Sequence, residues 1–178
     1  MRKMFMRWTV CAILLAGLAF AGSKTYRASA VAGPYELTTG RTAAVESGVR
    51  NFMSDVAHDV TQDGPSAWGK YFADTPAFFM AVDGKIAFAS GADAIAGLPQ
   101  VASMIKQIEL KWGDDLRVDP LAPDLAVVAA PYHETQVWAD GHRAEENGYF
   151  TGVVESRDGR WQFRNCHWSE PVPPPPTR

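Results

Sequence analysis

Apolar residues recur at helical spacing between Thr38 and Gly64. Val45, Val49, Phe52, Met53, Val56 and Val60 fall on one stripe, about 100° wide in such a helix. "TTG" at 38–40 offers the N-cap and Gly64 the stop. His58 points nearly opposite the stripe, toward solvent, and Asp59 lies at its edge. "GPSAWGKYF" predicts a second, short helix opened by Pro65, with Trp68, Tyr71 and Phe72 sharing a face. The pattern then changes. "PAFFMAVDGKIAFASG" has strand composition around Asp83-Gly84, a strong hairpin signal. "SGADAIAGLPQVASMIKQI" is helical again, and Pro99 is expected to split it into a short turn and a longer helix. From Ile108 onward the chain is strand-rich. Three runs, "LAVVAAPYHETQVW", "RAEENGYFTGVVES" and "RWQFRNCHWS", are joined by Asp140-Gly141 and Asp158-Gly159. No internal repeat is visible.

Helices early and a long meander late predict an α+β fold: three helices from the N-terminal half packed on one face of a curved antiparallel sheet. The first residues stand apart. "MRKMFMR" is basic, "WTVCAILLAGLAFAG" is apolar, and Ala19-Phe20-Ala21 fits signal-peptide cleavage. Ala28-Ser29-Ala30 is a second candidate site. Residues 1–21 therefore read as a signal peptide (alternative cleavage after 30), 22–37 as a linker, 38–171 as the domain and 172–178 as a proline-rich tail. The expected location is secreted or periplasmic, with no membrane span after cleavage. Cleavage takes the formal net charge from -3 to -6 and removes Cys11, so the mature chain keeps only Cys166 and forms no internal disulfide.

With 178 residues, 47% hydrophobic and 21% charged, the chain has globular composition. The pI near 5.8 argues against nucleic acid as a partner, because phosphate binding needs clustered Lys and Arg. The four histidines are scattered without metal-ligand spacing, and phosphate loops, dinucleotide fingerprints and G-x-S-x-G are missing. No metal or cofactor is expected.

The order of elements, with "VDGKIAFASGADAI" and "DGRWQFRNCHWS", resembles the SnoaL-like branch of the nuclear transport factor 2-like superfamily over roughly residues 40–171. Trp161, Phe163, His167 and Ser169 match the way the last strand of similar proteins ends. The resemblance implies a cone with an interior pocket and pairing of subunits through the outer sheet face. It leaves function open among isomerases, cyclases, dehydratases, binding domains and scaffolds. The steroid isomerases of that family use an Asp base and a Tyr/Asp oxyanion pair, a set the sequence does not place here.

Register follows from the turns. If Asp140-Gly141 and Asp158-Gly159 are both two-residue turns, His133 opposes Gly148, Gly152 opposes Asn165 and Phe150 opposes His167. One face then carries Ala129, Pro131, His133, Thr135, Glu146, Gly148, Phe150, Gly152, Val154, Trp161, Phe163, Asn165 and His167. Its two glycines and large apolar groups assign it to the cone interior. His133 and His167 would move protons there, and Asn165 would orient a substrate. Trp68, Tyr71, Phe79, Phe150, Trp161 and Phe163 would hold a small, largely apolar ligand. The opposite face, with Tyr132, Trp138, Tyr149 and Trp168, would form a homodimer surface. Three readings follow: binding of a small molecule without catalysis, acid/base chemistry of isomerase, cyclase or dehydratase type by the pocket histidines, or a non-catalytic dimeric scaffold.

Overall fold

The computed structural model describes residues 37–171; the expected signal peptide and most of the linker and proline tail lie outside them. Helix α1 spans Thr39–Asp63 with Thr38 as N-cap. All six residues of its apolar stripe are buried. The indole N–H of Trp112 donates to the Met53 carbonyl at 2.7 Å, fixing the helix to the sheet. A 3-10 helix follows over Pro65–Lys70, with Pro65 in its first turn. It delivers Trp68 to the core, with Tyr71 and Phe72 just beyond its end.

Strands β1 (Phe79–Val82) and β2 (Lys85–Phe88) form the expected hairpin. Asp83 and Gly84 both have positive φ, 46° and 77°, as a type I′ turn requires. Helix α2 then runs unbroken over Gly91–Met104, with Pro99 inside it. The expected split at Pro99 is corrected. Pro99 and Ile95, whose carbonyl loses its helical donor, both sit on the exposed side, where water can satisfy the carbonyl. Strand β3 (Ile105–Trp112) begins without a connecting loop. Next comes β4 (Arg117–Ala122), which the sequence pattern did not delimit, then β5 (Leu125–Trp138), β6 (Arg143–Arg157) and β7 (Arg160–Ser169).

The seven strands form one sheet in the order β2-β1-β7-β6-β5-β3. Every neighbouring pair is antiparallel except β1 and β7, so the sheet is mixed. The fourteen-residue β5 is shared: β4 pairs with its first part and β3 with its second. Helix α1 packs on β3 and β4, and α2 on the 3-10 helix, β2 and β3. The helices thus close one side of a curved sheet, and the core lies between.

Two one-residue irregularities set the faces of that sheet. Asp158-Gly159 is a two-residue turn, and Arg157 opposes Arg160 as expected. Asp140-Gly141 is not. Gly141 donates to the Trp138 carbonyl and Trp138 to that of His142, each at 2.9 Å. This is a three-residue loop, Ala139–Gly141, closed by Gly141 at φ 87°. His133 therefore opposes Asn147 rather than Gly148. In β7 the register slips once more. Phe163 faces Val154 but Asn165 faces Val153, leaving Arg164 as the extra residue of a β-bulge. Phe150 consequently opposes Trp168, not His167.

Candidate functional site

The two slips invert the expected faces of β5 and of the end of β7. Even-numbered positions of β5 point inward: Ala126, Val128, Ala130, Tyr132, Glu134 and Gln136 are buried. In β7, Phe163 is buried before the bulge, and Cys166 and Trp168 after it. Ala129, Pro131, His133 and Thr135 are only partly covered on the other face. The interior assignment holds for Glu146, Gly148, Phe150, Gly152, Val154 and Phe163. It is corrected for His133, Asn165 and His167, because a one-residue slip turns every later side chain over.

The displaced residues have other partners. His167 is exposed. His133 Nδ1 lies 2.7 Å from Asn147 Oδ1 on the outer face. Asn165 Oδ1 accepts the Val153 N–H at 3.2 Å, satisfying a backbone donor beside the bulge. Of the expected ligand contacts, Trp68 lines the cavity. Phe150 and Phe163 are fully buried in the aromatic core, 5.3 Å apart and edge to face. Tyr71 is buried too, its hydroxyl donating to Asp59 at 2.8 Å. Trp161 packs near Gly48 of α1. Phe79 is 42% exposed, and its neighbour Phe78 takes the core position instead. The aromatic patch expected on the outer face also dissolves. Tyr132, Trp138 and Trp168 point inward, leaving Tyr149 outside at 40% exposure.

A cavity of about 370 Å³ opens between the helices and the sheet. The 3-10 helix supplies Trp68, the residues just beyond it Phe72, and the β1–β2 hairpin Met80, Val82 and Phe88. Helix α2 contributes Leu98 and Val101, and β3 contributes Ile105 and Ile108. These walls are apolar. The polar side belongs to the sheet: Tyr132, Glu134, Gln136 and Trp138 from β5, Glu146 from β6, and Glu170 just past β7. Among the described residues, no Lys, Arg or His lines the cavity.

Glu134 and Glu146 face each other across the β5–β6 pair. Gln136 Nε2 donates to Glu134 Oε1 at 2.7 Å. Burial pushes the Glu134 carboxyl up to about 7; the Gln136 hydrogen bond opposes the shift and the Glu146 charge adds to it. Glu146 is also raised, chiefly by burial, then by Glu170 and Asp83. Gln136 Oε1 and Trp138 Nε1 are buried and have no partner among the described residues. Near neutral pH Glu134 is close to half-ionised, so it can donate or accept a hydrogen bond, or a proton. Sequence reasoning missed this group by one register step. Its signal was the parity of Tyr132 and Trp138, two large aromatics that share a face with Glu134 and Gln136.

No family model matches the chain, and no curated protein matches it. Solved structures do. A candidate scytalone dehydratase from Novosphingobium aromaticivorans DSM 12444 superposes with a TM-score of 0.67 at 11% identity, covering 76% of this chain and 89% of that one. A nuclear transport factor 2-like superfamily protein from Salmonella enterica serovar Typhimurium LT2 gives 0.60 at 14% identity, covering 77% and 95%. The chain has the nuclear transport factor 2-like fold. A third match is the hexachlorocyclohexane dehydrochlorinase LinA-type3 from Novosphingobium barchaimii LL02, with a TM-score of 0.58, 14% identity and coverage of 73% and 88%.

Proposed function

We propose that this protein is exported and holds a small, largely apolar molecule in its cone cavity. The observation that carries the reading is the cavity itself: about 370 Å³, greasy on the helix side, with its hydrogen-bonding groups gathered on β5 and β6. Small-molecule sites are built in this way, with an apolar volume for affinity and a few placed polar groups for orientation. Outer-face dimerisation loses the aromatic patch that motivated it and forms no part of the proposal.

A second reading is favoured by Glu134. A dehydratase and a dehydrochlorinase expel water or hydrogen chloride from a small organic molecule. Such eliminations need a base beside the substrate and an acid for the leaving group. Glu134, poised near neutrality inside the cavity, takes the proton-transfer role that the sequence pattern gave to His133 and His167.

Both readings are tested with Prodan, a neutral naphthyl ketone whose emission shifts blue in apolar surroundings. The protein should bind one equivalent, and Val101→Trp, which fills the cavity from α2, should abolish binding. His167→Ala, on the outer face, should change nothing. Absence of binding by the parent protein, or unchanged binding by the Val101 variant, would refute the proposal. On the second reading Glu134→Gln removes turnover while Prodan binding survives.

A further inference from the structure

The polar side of the cavity has a sign. Glu134, Glu146 and Glu170 face it, and among the described residues no lining side chain carries positive charge. Its acceptors outnumber its donors: beside three carboxyls and the Gln136 amide oxygen stands one buried donor without a partner among the described residues, Trp138 Nε1. Gln136 is 6% exposed, its amide N–H is committed to Glu134, and its Oε1 has no partner among the described residues. The same cavity is lined by the aromatic rings of Trp68, Tyr132 and Trp168, packed edge to face with centroids 4.7–5.7 Å apart. Carboxylates, a free amide oxygen and aromatic faces together match one kind of ligand group. It carries positive charge, bears N–H donors, and tolerates an apolar wall.

We infer that the cavity selects an organic ammonium: a primary or secondary amine, protonated, on an apolar body small enough for the helix side. The inference rests on the proposed binding reading and names its ligand class. A bare metal ion does not fit the same residues. Among the described residues no three His, Cys, Asp or Glu side chains converge closely enough to hold one. The acidic groups are spread over β5, β6 and the end of β7, as a larger cation with several donors requires. Glu134 and Glu146, opposed across two strands, repel when both are ionised. An ammonium between them relieves that repulsion and satisfies Gln136 Oε1.

The inference has a proton signature. Burial raises both carboxyls, and a bound cation favours their ionised forms. Binding near pH 6–7 should therefore release protons. The charged groups facing this pair are Glu170 beyond β7 and Asp83 in the β1–β2 turn, both acidic; Tyr132 on β5 is held neutral, its pKa raised by burial.

The test compares 2-(1-naphthyl)ethylamine with its neutral isostere 2-(1-naphthyl)ethanol by isothermal titration at pH 8. The amine should bind at least about tenfold more tightly. Its advantage should shrink at pH 5, and titrations near pH 6.5 in buffers of different ionisation enthalpy should reveal proton release. Glu134→Gln and Glu146→Gln should each reduce the preference of amine over alcohol severalfold, with circular dichroism showing that the variants fold. Equal affinity for the two ligands, or preference for the alcohol, overturns the ammonium inference and leaves the cavity reading intact. If neither ligand binds but Prodan does, the inference alone again fails. If none of the three binds, both fail.

Discussion

Glu134 is where burial and chemistry meet. Its carboxyl is raised in the folded protein from an ordinary value of 4.5 to about 7, so the folded state holds a proton that the unfolded chain has released. Where the native state binds more protons, stability falls as pH rises. The stabilisation is therefore complete below about pH 4.5 and is lost progressively up to about pH 7. Its scale is roughly 3 kcal/mol, at 1.36 kcal/mol per pKa unit. Glutamine has the shape of the protonated acid and no charge to bury. Glu134→Gln should match the parent protein near pH 4 and exceed it by roughly 3 kcal/mol at pH 8. Urea melts of both proteins across that range check this. A constant difference between them would show that Glu134 keeps an ordinary pKa. The residue was in view in the sequence, but its face was not. Leu125, Val127 and Ala129 are as apolar as Ala126, Val128 and Ala130, so alternation alone leaves the parity of β5 open. Tyr132 and Trp138 decide it only if they are read as core rather than as a contact surface.

At the scale of elements, the sequence was most legible where one face is buried and the other is not. The stripe of α1, the 3-10 segment opened by Pro65, the two Asp-Gly type I′ turns and the bounds of β5, β6 and β7 all follow from local pattern. What did not follow is a bulge and a loop length, because each adds one residue without changing composition. The bulge at Arg164 can be isolated by deletion. Removing Arg164 leaves Phe163, Asn165 and Cys166 in regular alternation, still opposite Val154, Val153 and Gly152. The inward faces survive. The losses are local bend and the Arg164–Glu155 ion pair, which at 3.0 Å joins a 43% exposed guanidinium side chain to a nearly buried carboxylate. Deleting Arg164 should therefore cost about 1–3 kcal/mol and leave a folded protein. Deleting His167 instead turns Trp168 outward. That removes it from contacts with Trp68, Trp112, Tyr132 and Phe150. It should cost about 3–5 kcal/mol, the scale of a lost core aromatic. Denaturant midpoints rank the two deletions, and a Arg164 deletion as damaging as that of His167 would mean the bulge itself specifies the fold.

The whole molecule must reconcile the proposed export with a single thiol. A domain of this size buries enough surface to fold without cross-links, and the mature chain has only Cys166. That thiol is 1% exposed, and burial raises its pKa well above the ordinary thiol value. A thiol that is neither ionised nor accessible exchanges slowly with disulfides. An oxidising compartment therefore neither helps nor harms this fold, and disulfide chemistry places no limit on where it works. The cleavage sites after Ala21 and Ala30 both precede Thr38, the N-cap of α1, so either cut leaves the described domain whole. Protein recovered from the cell envelope or medium should begin at Gly22 or Val31 by N-terminal sequencing. It should run as one band with and without reductant, and its melting temperature should not change when reductant is added. An intact Met1 in the soluble mature protein would overturn export. A reductant-sensitive melting temperature would show that Cys166 reaches a partner through a surface that the fold, as built, keeps closed.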